Sequence, residues 1–320
     1  MITSQLGPGG EFDRIRRIAA ALGPVAHGLG DDCAILPAGS GEVVLSADLS
    51  VEGVHFRTDW LSFEEIGWRA AAGALSDLAA AGATPVGLLA SVGAPRGVDE
   101  VRLVELMRGV GAAVASVGGV VLGGDLSASP HWLVDITVVG RAPRPVPRNG
   151  ARPGDGIWLS GTPGLSRAAL VAWRRGGAPE SAAREAYAHP VPRLALGMAL
   201  AEAGARAMID LSDGLAGDVR HLAAASQVAI TLDLERIPIA AAVRQAAGTA
   251  EPPAVFAATG GEDYELLAAL PPAFSDSEGA ELAARCGLPL TRIGVVTAGK
   301  GVTLRLDGQP VQLGGYDHFA

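Results

Sequence analysis

Residues 142–155, APRPVPRNGARPGD, interrupt the chain near its middle with four prolines and three glycine or asparagine residues that suit turns. Such a stretch continues neither a helix nor a central strand, because proline has no backbone donor and its ring obstructs the preceding turn. A chain of 320 residues is too long for one ordinary core and long enough for two. The interruption therefore predicts two domains, residues 1–145 and 146–320. Hydrophobic residues make up 49% of the sequence but aromatic ones only 4%, so the cores must be built from Ala, Val, Leu and Ile. That suits helices packed on largely buried sheets. Glycine, at 44 residues, exceeds what helix caps use and predicts positions of positive φ or of close backbone approach to a ligand.

Periodicity fills in the halves. Phe12, Ile15, Ile18, Ala19 and Leu22 recur at helical spacing in residues 10–22. Strands are predicted at 33–36 and 42–49. A long helix opens at Ser62, with Glu65 three residues on as a capping box, and ends near Gly82. VGLLASV, a helix over 99–117, VVLGGD and the alternating WLVDITVVG complete the first half. The second half alternates helices around 164–175, 192–204, 214–226 and 238–247 with the strands IWLSG, MIDL, AITLDL, ELLAAL, TRIGVV and VTLRL. The alternation gives each half an α/β (α+β) character without fixing strand order.

Lys and Arg number 25 against 34 Asp and Glu, a net charge of −9, and the basic residues are scattered. A nucleic-acid partner is not expected. Cys33 and Cys286 form no metal or redox spacing and read as buried, reduced thiols. No apolar run approaches the roughly 20 residues that span a bilayer, and the opening MITSQLGPGGEFDRIRR has no signal-like core. A soluble cytoplasmic protein without a membrane partner is expected.

Against that background stands a series of carboxylates at strand ends or beside glycine: Asp31, Asp32, Asp48, Asp77, Asp125, Asp210 and Asp213. Strand ends in α/β folds are where ligands bind. Carboxylates gathered there would repel by about 4 kcal/mol per close pair at an effective dielectric near 20. Divalent cations relieve that conflict, and hard oxygen ligands select Mg²⁺ shared with phosphate oxygens. Taken singly, an Asp beside Gly is usually a turn or cap residue. Asp77 is different, because it sits inside an Ala-rich helix where aspartate is a poor helix former.

Other signals are weaker. Gly123-Gly124-Asp125 could let a phosphate approach the backbone. Neither a P-loop nor a GxGxxG turn is present, so a nucleotide must be held in another way. Arg148 could pair with phosphate, although an arginine in a linker is usually solvated. His55 follows the Asp48 strand, where a lone histidine is more often structural than functional.

In order along the chain, GEFDRI, GLGDDCAIL, LSADLSVEGVHF, ALSDLAAAGATP, LGGD, VGRA with RNGARPGD, WLSGTPG, MIDLSDGLAGD, ATGGEDYELL and the terminal GGYDHF resemble the thiamine-monophosphate kinases, a family of the aminoimidazole ribonucleotide synthetase superfamily. The resemblance covers essentially the whole chain. It implies transfer of the γ-phosphate of ATP to thiamine monophosphate, giving thiamine diphosphate with the help of several Mg²⁺ ions. By position it implies metal contacts for Asp32, Ser46, Asp48, Asp77, Asp125, Asp210 and Asp213. It implies ATP contacts for Gly124, Asp125, Arg148 and Ser212, with Met107 where an aromatic often packs near the nucleotide. His55, Glu262 and Tyr316 fall on acceptor-contacting positions. The implied fold is a two-domain aminoimidazole ribonucleotide synthetase-like fold whose N-terminal ATP- and metal-binding domain forms a homodimer, for which VGLLASV and WLVDITVVG offer apolar surface.

No general base is implied. A phosphate monoester has a second pKa near ~6, so the attacking oxygen is already largely ionised at neutral pH. Ala47, Leu165 and the AHPVPR segment depart from the family pattern, as does Met107. The alternatives are another ATP-dependent enzyme of the superfamily acting on a different small acceptor, and a non-catalytic thiamine-phosphate sensor.

Overall fold

The computed structural model describes residues 10–26 and 39–315, with side chains from Arg14 onward. The chain divides into two compact units. One runs to Leu78 and covers Thr84–Pro143 and Ala188–Pro190; the other covers Ala79–Ala83, Arg144–Tyr187 and the chain from Val191 on.

The first unit contains α1 (Gly10–Leu22), β1 (Glu42–Val51), α2 (Phe63–Ala80, its last two residues falling in the other unit), β2 (Thr84–Ala94), α3 (Glu100–Ser116), β3 (Val120–Ala128) and β4 (Leu133–Ala142). Its four strands lie in the order β1-β4-β2-β3, with β2 and β3 parallel and the other pairs antiparallel. The predicted capping box of α2 is present: the Ser62 N–H donates to Glu65 Oε2 (2.8 Å) and the Glu65 N–H to Ser62 Oγ (3.3 Å). The helix gives way to Gly82, whose φ of 65° suits glycine at a helix end. The most apolar strands, β2 and β4, turn that character inward, with Leu88, Val134, Ile136 and Val138 all at 0% exposure. The exposed apolar row lies instead on the edge strand β1, where Val43, Leu45 and Leu49 are 48%, 63% and 52% exposed. This corrects the expectation that VGLLASV and WLVDITVVG supply free apolar surface.

The second unit follows with β5 (Gly156–Ser160), α4 (Leu165–Arg174), α5 (Ser181–Ala188), α6 (Leu194–Glu202), β6 (Ala207–Asp210), α7 (Leu215–Ser226), β7 (Ala229–Asp233), α8 (Ala241–Ala247), α9 (Pro253–Ala258), β8 (Leu266–Leu270), α10 (Asp276–Cys286), β9 (Leu290–Thr297), β10 (Gly301–Leu306) and β11 (Gln309–Val311). Seven strands form one sheet in the order β11-β10-β7-β9-β5-β8-β6. Every residue of β5, β6 and β8 is buried, as continuous apolar runs require. Only β7 and β10 pair in parallel. Alternation of helix and strand sets the layers, and although the helical connections from β5 to β6, β6 to β7 and β8 to β9 join strands running the same way, the strands that meet in the sheet are mostly antiparallel because those consecutive strands are not neighbours.

The proline-rich interruption is anchored rather than loose. Asp155, fully buried, accepts from Arg206 (2.7 Å) and from the Arg152 N–H (2.8 Å). A β-carbon on Gly150 would lie 1.8 Å from the Arg206 carbonyl oxygen. Cys286, expected to be buried, ends α10 only partly covered, while Cys33 lies outside the described residues. No helix among the described residues is long and apolar enough to cross a membrane.

In the first unit, α2 and α3 cross with backbone against backbone. A β-carbon on Gly67 would meet the Leu106 carbonyl oxygen at 1.9 Å, and one on Gly109 would meet that of Glu64 at 1.9 Å. Helix propensity alone makes Gly→Ala favourable by about 1 kcal/mol. At this crossing overpacking reverses the sign. Gly109→Ala should destabilise by about 2 kcal/mol, measured as a shift in urea midpoint at constant slope.

Candidate active site

In the first unit, β1 alternates between two surfaces. Ser46 Oγ donates to the Asp77 carboxylate of α2, so this row faces the helix, and Asp48, two residues on, shares it. Asp77 is thus a helix-interior aspartate with a partner on the sheet, which explains its presence in an Ala-rich helix. Asp48 lies within β1 rather than at its end, because β4 pairs with the strand as far as Val51. Its side chain reaches solvent, yet enclosure by neighbouring protein, then Asp77, then Asp135, raises its carboxyl from 3.8 to about 6.

The ladder assigns the remaining groups of this sheet. One row runs Asp48, Ile136, Ala90, Gly124; the next runs Leu49, Asp135, Ser91, Asp125. Neighbouring rows point to opposite faces. Asp125, three residues before the end of β3, therefore does not share the face of Ser46, Asp48 and Asp77. The glycine before it has a structural reason: a β-carbon on Gly124 would lie 1.8 Å from the Ala90 carbonyl oxygen. His55 turns back after β1, its Nδ1 accepting from the Val51 N–H at 3.1 Å, which leaves the proton of a neutral ring on Nε2. Met107 is buried on α3. A cavity of about 300 Å³ in the same unit is lined by Arg14, Arg96, Leu103 and Leu126 among others.

In the second unit, two motifs far apart in sequence interlock. Asp210 ends β6, and the segment after it pairs with the loop leading into β8. The Glu262 N–H donates to the Ser212 carbonyl (2.7 Å), the Tyr264 N–H to that of Leu211 (2.9 Å), and the Leu211 N–H to that of Glu265 (2.8 Å). Gly214 and Gly261 allow this, since β-carbons there would meet the Gly260 and Ser212 carbonyl oxygens at 2.8 Å and 2.7 Å. Ser212, Asp213 and Glu262 are thereby neighbours, with Ser212 exposed and Asp210 buried. Tyr316 lies outside the described residues, as do Asp31 and Asp32. Gly315, just before Tyr316, is seated on the first turn of α7, where its β-carbon would meet the Gly217 Cα at 2.7 Å. The Leu313 carbonyl accepts from Arg220.

Arg148 is exposed. Its carbonyl accepts from Ser226 Oγ (2.8 Å) at the last residue of α7, so its backbone lies at the opposite end of that helix from Asp213.

Several charged groups escaped the sequence reading. Asp218 is 2% exposed, and burial, then Asp210 and Asp213, raise its carboxyl to about 8. Its oxygen accepts from the Asp213 N–H at 3.2 Å. Ligand atoms of Asp213, Asp218 and His221 fall within 4.8 Å of one another. Asp263 accepts from the Gly164 N–H (2.8 Å), and enclosure of its carboxyl, with smaller contributions from Glu265 and Glu262, raises it well above the ordinary range against the pull of the Gly164 and Ser166 amides. Glu265 pairs with Arg193. The usable signal was the density of acids in GGEDYEL, more than one turn needs.

Family models describe two parts of the chain. Residues 30–142 match the N-terminal domain of AIR synthase related proteins and residues 152–307 the C-terminal domain. Thiamine-monophosphate kinase from Mycobacterium tuberculosis is 35% identical over 270 residues, covering 82% of this chain and 80% of that protein. Among solved structures, thiamine-monophosphate kinase from Stenotrophomonas maltophilia superposes with a TM-score of 0.82 at 34% identity, over 96% of this chain and 98% of that one. AaThiL complexed with AMPPCP and TMP gives 0.78 at 32% identity, over 97% of both chains. With both AIR synthase domains matched and more than two thirds of the chain aligned to these relatives, the chain belongs to the thiamine-monophosphate kinase family.

Proposed function

We propose that this protein transfers the γ-phosphoryl group of ATP to thiamine monophosphate, forming thiamine diphosphate and ADP in thiamine diphosphate biosynthesis. One observation carries the reading: likeness over 97% of the chain to AaThiL complexed with AMPPCP and TMP. A terminal phosphate oxygen of the acceptor attacks the γ-phosphorus. The bond from that phosphorus to the bridging oxygen breaks, and its electron pair leaves with ADP. The attacking oxygen is already ionised at neutral pH, so no side chain need remove a proton. The chain's task is alignment and charge compensation.

Asp32, Ser46, Asp48, Asp77 and Asp125 of the N-terminal half, and Asp210 and Asp213 of the C-terminal half, are the proposed holders of Mg²⁺. The donor set fits. It consists of oxygens alone, and Asp48 is forced up to about 6 partly by Asp77, a like-charge conflict that a cation relieves. Bound there, Mg²⁺ would neutralise charge on the reacting phosphates. Asp125 enters on the resemblance alone, since its row faces away from Asp48. Gly124, Asp125, Arg148, Ser212 and Met107 are the proposed ATP contacts; His55, Glu262 and Tyr316 are the proposed acceptor contacts. Residues 1–145 are taken as the ATP-, metal-binding and dimerisation domain and 146–320 as the C-terminal domain. The exposed apolar row of β1 is the surface we assign to a homodimer, because exposed edge strands of this kind invite pairing. A cytoplasmic setting accords with the reading.

Thiamine diphosphate should form from ATP and thiamine monophosphate, and none from free thiamine, which lacks the attacking phosphate. Chromatographic separation of products tests this, and efficient use of free thiamine would overturn it.

Asp77→Asn should lower turnover by about a hundredfold or more across a magnesium titration. The metal-free variant should stay folded and lose some of its pH sensitivity. A carboxyl raised in the folded state, as Asp48 is from 3.8 to about 6, contributes stability present below the unfolded value and lost as pH rises through the folded one. Melts of the metal-free protein between pH 4 and pH 7 should therefore fall less steeply for Asp77→Asn than for wild type. Near-normal turnover at the same magnesium optimum would remove Asp77 from the metal set.

Light scattering should report a dimer, and Leu45→Glu should shift the population toward monomers of 32.3 kDa with intact secondary structure by circular dichroism.

A further inference from the structure

Glu262 and Tyr264 adopt φ values of 64° and 50°, the left-handed region that side-chain-bearing residues rarely enter. Such conformations persist only where the surroundings over-determine them, and they concentrate at functional sites. Here the surroundings can be named. The Ser166 hydroxyl, on a residue 1% exposed, donates to the Glu262 carbonyl at 2.8 Å. Asp263 accepts from the Gly164 N–H at the mouth of α4. Glu265, 4% exposed, receives Arg193 on both oxygens, at 3.0 Å and 2.5 Å, together with the Ser160 hydroxyl. That hydroxyl also accepts from the Leu266 N–H at 2.8 Å.

Two features argue that this network does more than stabilise the fold. An ion pair buried on the Glu265 side and half-buried on the Arg193 side is a poor stability device, since exposed pairs are worth little and apolar groups of the same volume often replace buried ones without loss. And the glycine-rich turn opening α4 resembles a phosphate cradle, but the protein's own Asp263 carboxylate already occupies its amides. The turn grips the loop that carries Glu262 in place of a ligand.

We propose that Arg193, Glu265 and Ser166 are positioning residues that hold Glu262 toward the phosphate acceptor. The inference rests on the reading of Glu262 as an acceptor contact. Arg193 and Glu265 fix the end of the loop beside β8. Ser166 fixes the peptide that follows Glu262. Loosening either lets the loop leave its strained conformation and carries the Glu262 side chain away from the acceptor while ATP contacts persist.

The test is steady-state kinetics on the full-length protein with both substrates varied, for Arg193→Lys, Ser166→Ala and Glu262→Ala, and for each of the first two combined with Glu262→Ala. Arg193→Lys keeps the charge but loses the two-pronged geometry. Each positioning variant should raise KM for thiamine monophosphate on the order of tenfold, with KM for ATP changed by less than about twofold. In the Glu262→Ala background the same substitutions should add little, because residues acting through one group are not additive. A full additional loss in that background, or equal changes for both substrates, would overturn the proposal and leave the network structural. An unchanged acceptor KM in Glu262→Ala alone would instead overturn the acceptor reading of Glu262. Should Arg193→Lys fail to fold, Ser166→Ala decides the matter, and failure of both to fold would make the network a stability element and sink the proposal.

Discussion

At Gly197 a β-carbon would stand 2.0 Å from the Ala79 carbonyl oxygen, at Gly124 1.8 Å from that of Ala90, and at Gly214 2.8 Å from that of Gly260. In each place one backbone lies directly on another with no side chain between. Because so few aromatics are available to fill space, elements must come close to bury enough surface, and glycine permits that approach. The interlock of residues 211–214 with 260–265 is one instance. It puts the Ser212 and Glu262 backbones a hydrogen bond apart, so the groups assigned to nucleotide and acceptor are neighbours carried on two separate segments.

Electrostatics is the second constraint. Asp48 held up to about 6 and Asp218 to about 8 are carboxyls in surroundings unfavourable to their charged forms. A fold selected for stability alone would replace them with neutral groups. Their presence at these positions fits a chain that handles cations and phosphates, where the unfavourable metal-free state is relieved on binding.

Much of this was legible in the sequence. Ser62 and Glu65 marked the start of α2, and Asp77 stood out because helix propensity gave it no local reason. Other features were hidden for physical reasons. The same S-x-x-E pattern at Ser275 and Glu278 opens α10, but a short helix with weak apolar periodicity does not announce itself. Strand direction in the seven-stranded sheet depends on which strands meet, which alternation does not encode. The roles of Asp263, Glu265 and Arg193 depend on positive φ at Glu262 and Tyr264, and nothing in local composition predicts that conformation for non-glycine residues. The inward turn of β2 and β4 likewise follows from their central places in the sheet.

The two-sided character of β1 limits how this strand can change over evolutionary time. Val43, Leu45 and Leu49 share one surface, while Ser46 and Asp48 share the other. Substitution can alter either surface independently. A gain or loss of one residue cannot, because every side chain beyond that point would change faces, setting leucines where the carboxylate belongs and the carboxylate among the exposed leucines. Relatives of this chain should therefore diverge in residue identity along this strand while keeping its length, with insertions falling in the loops at either end.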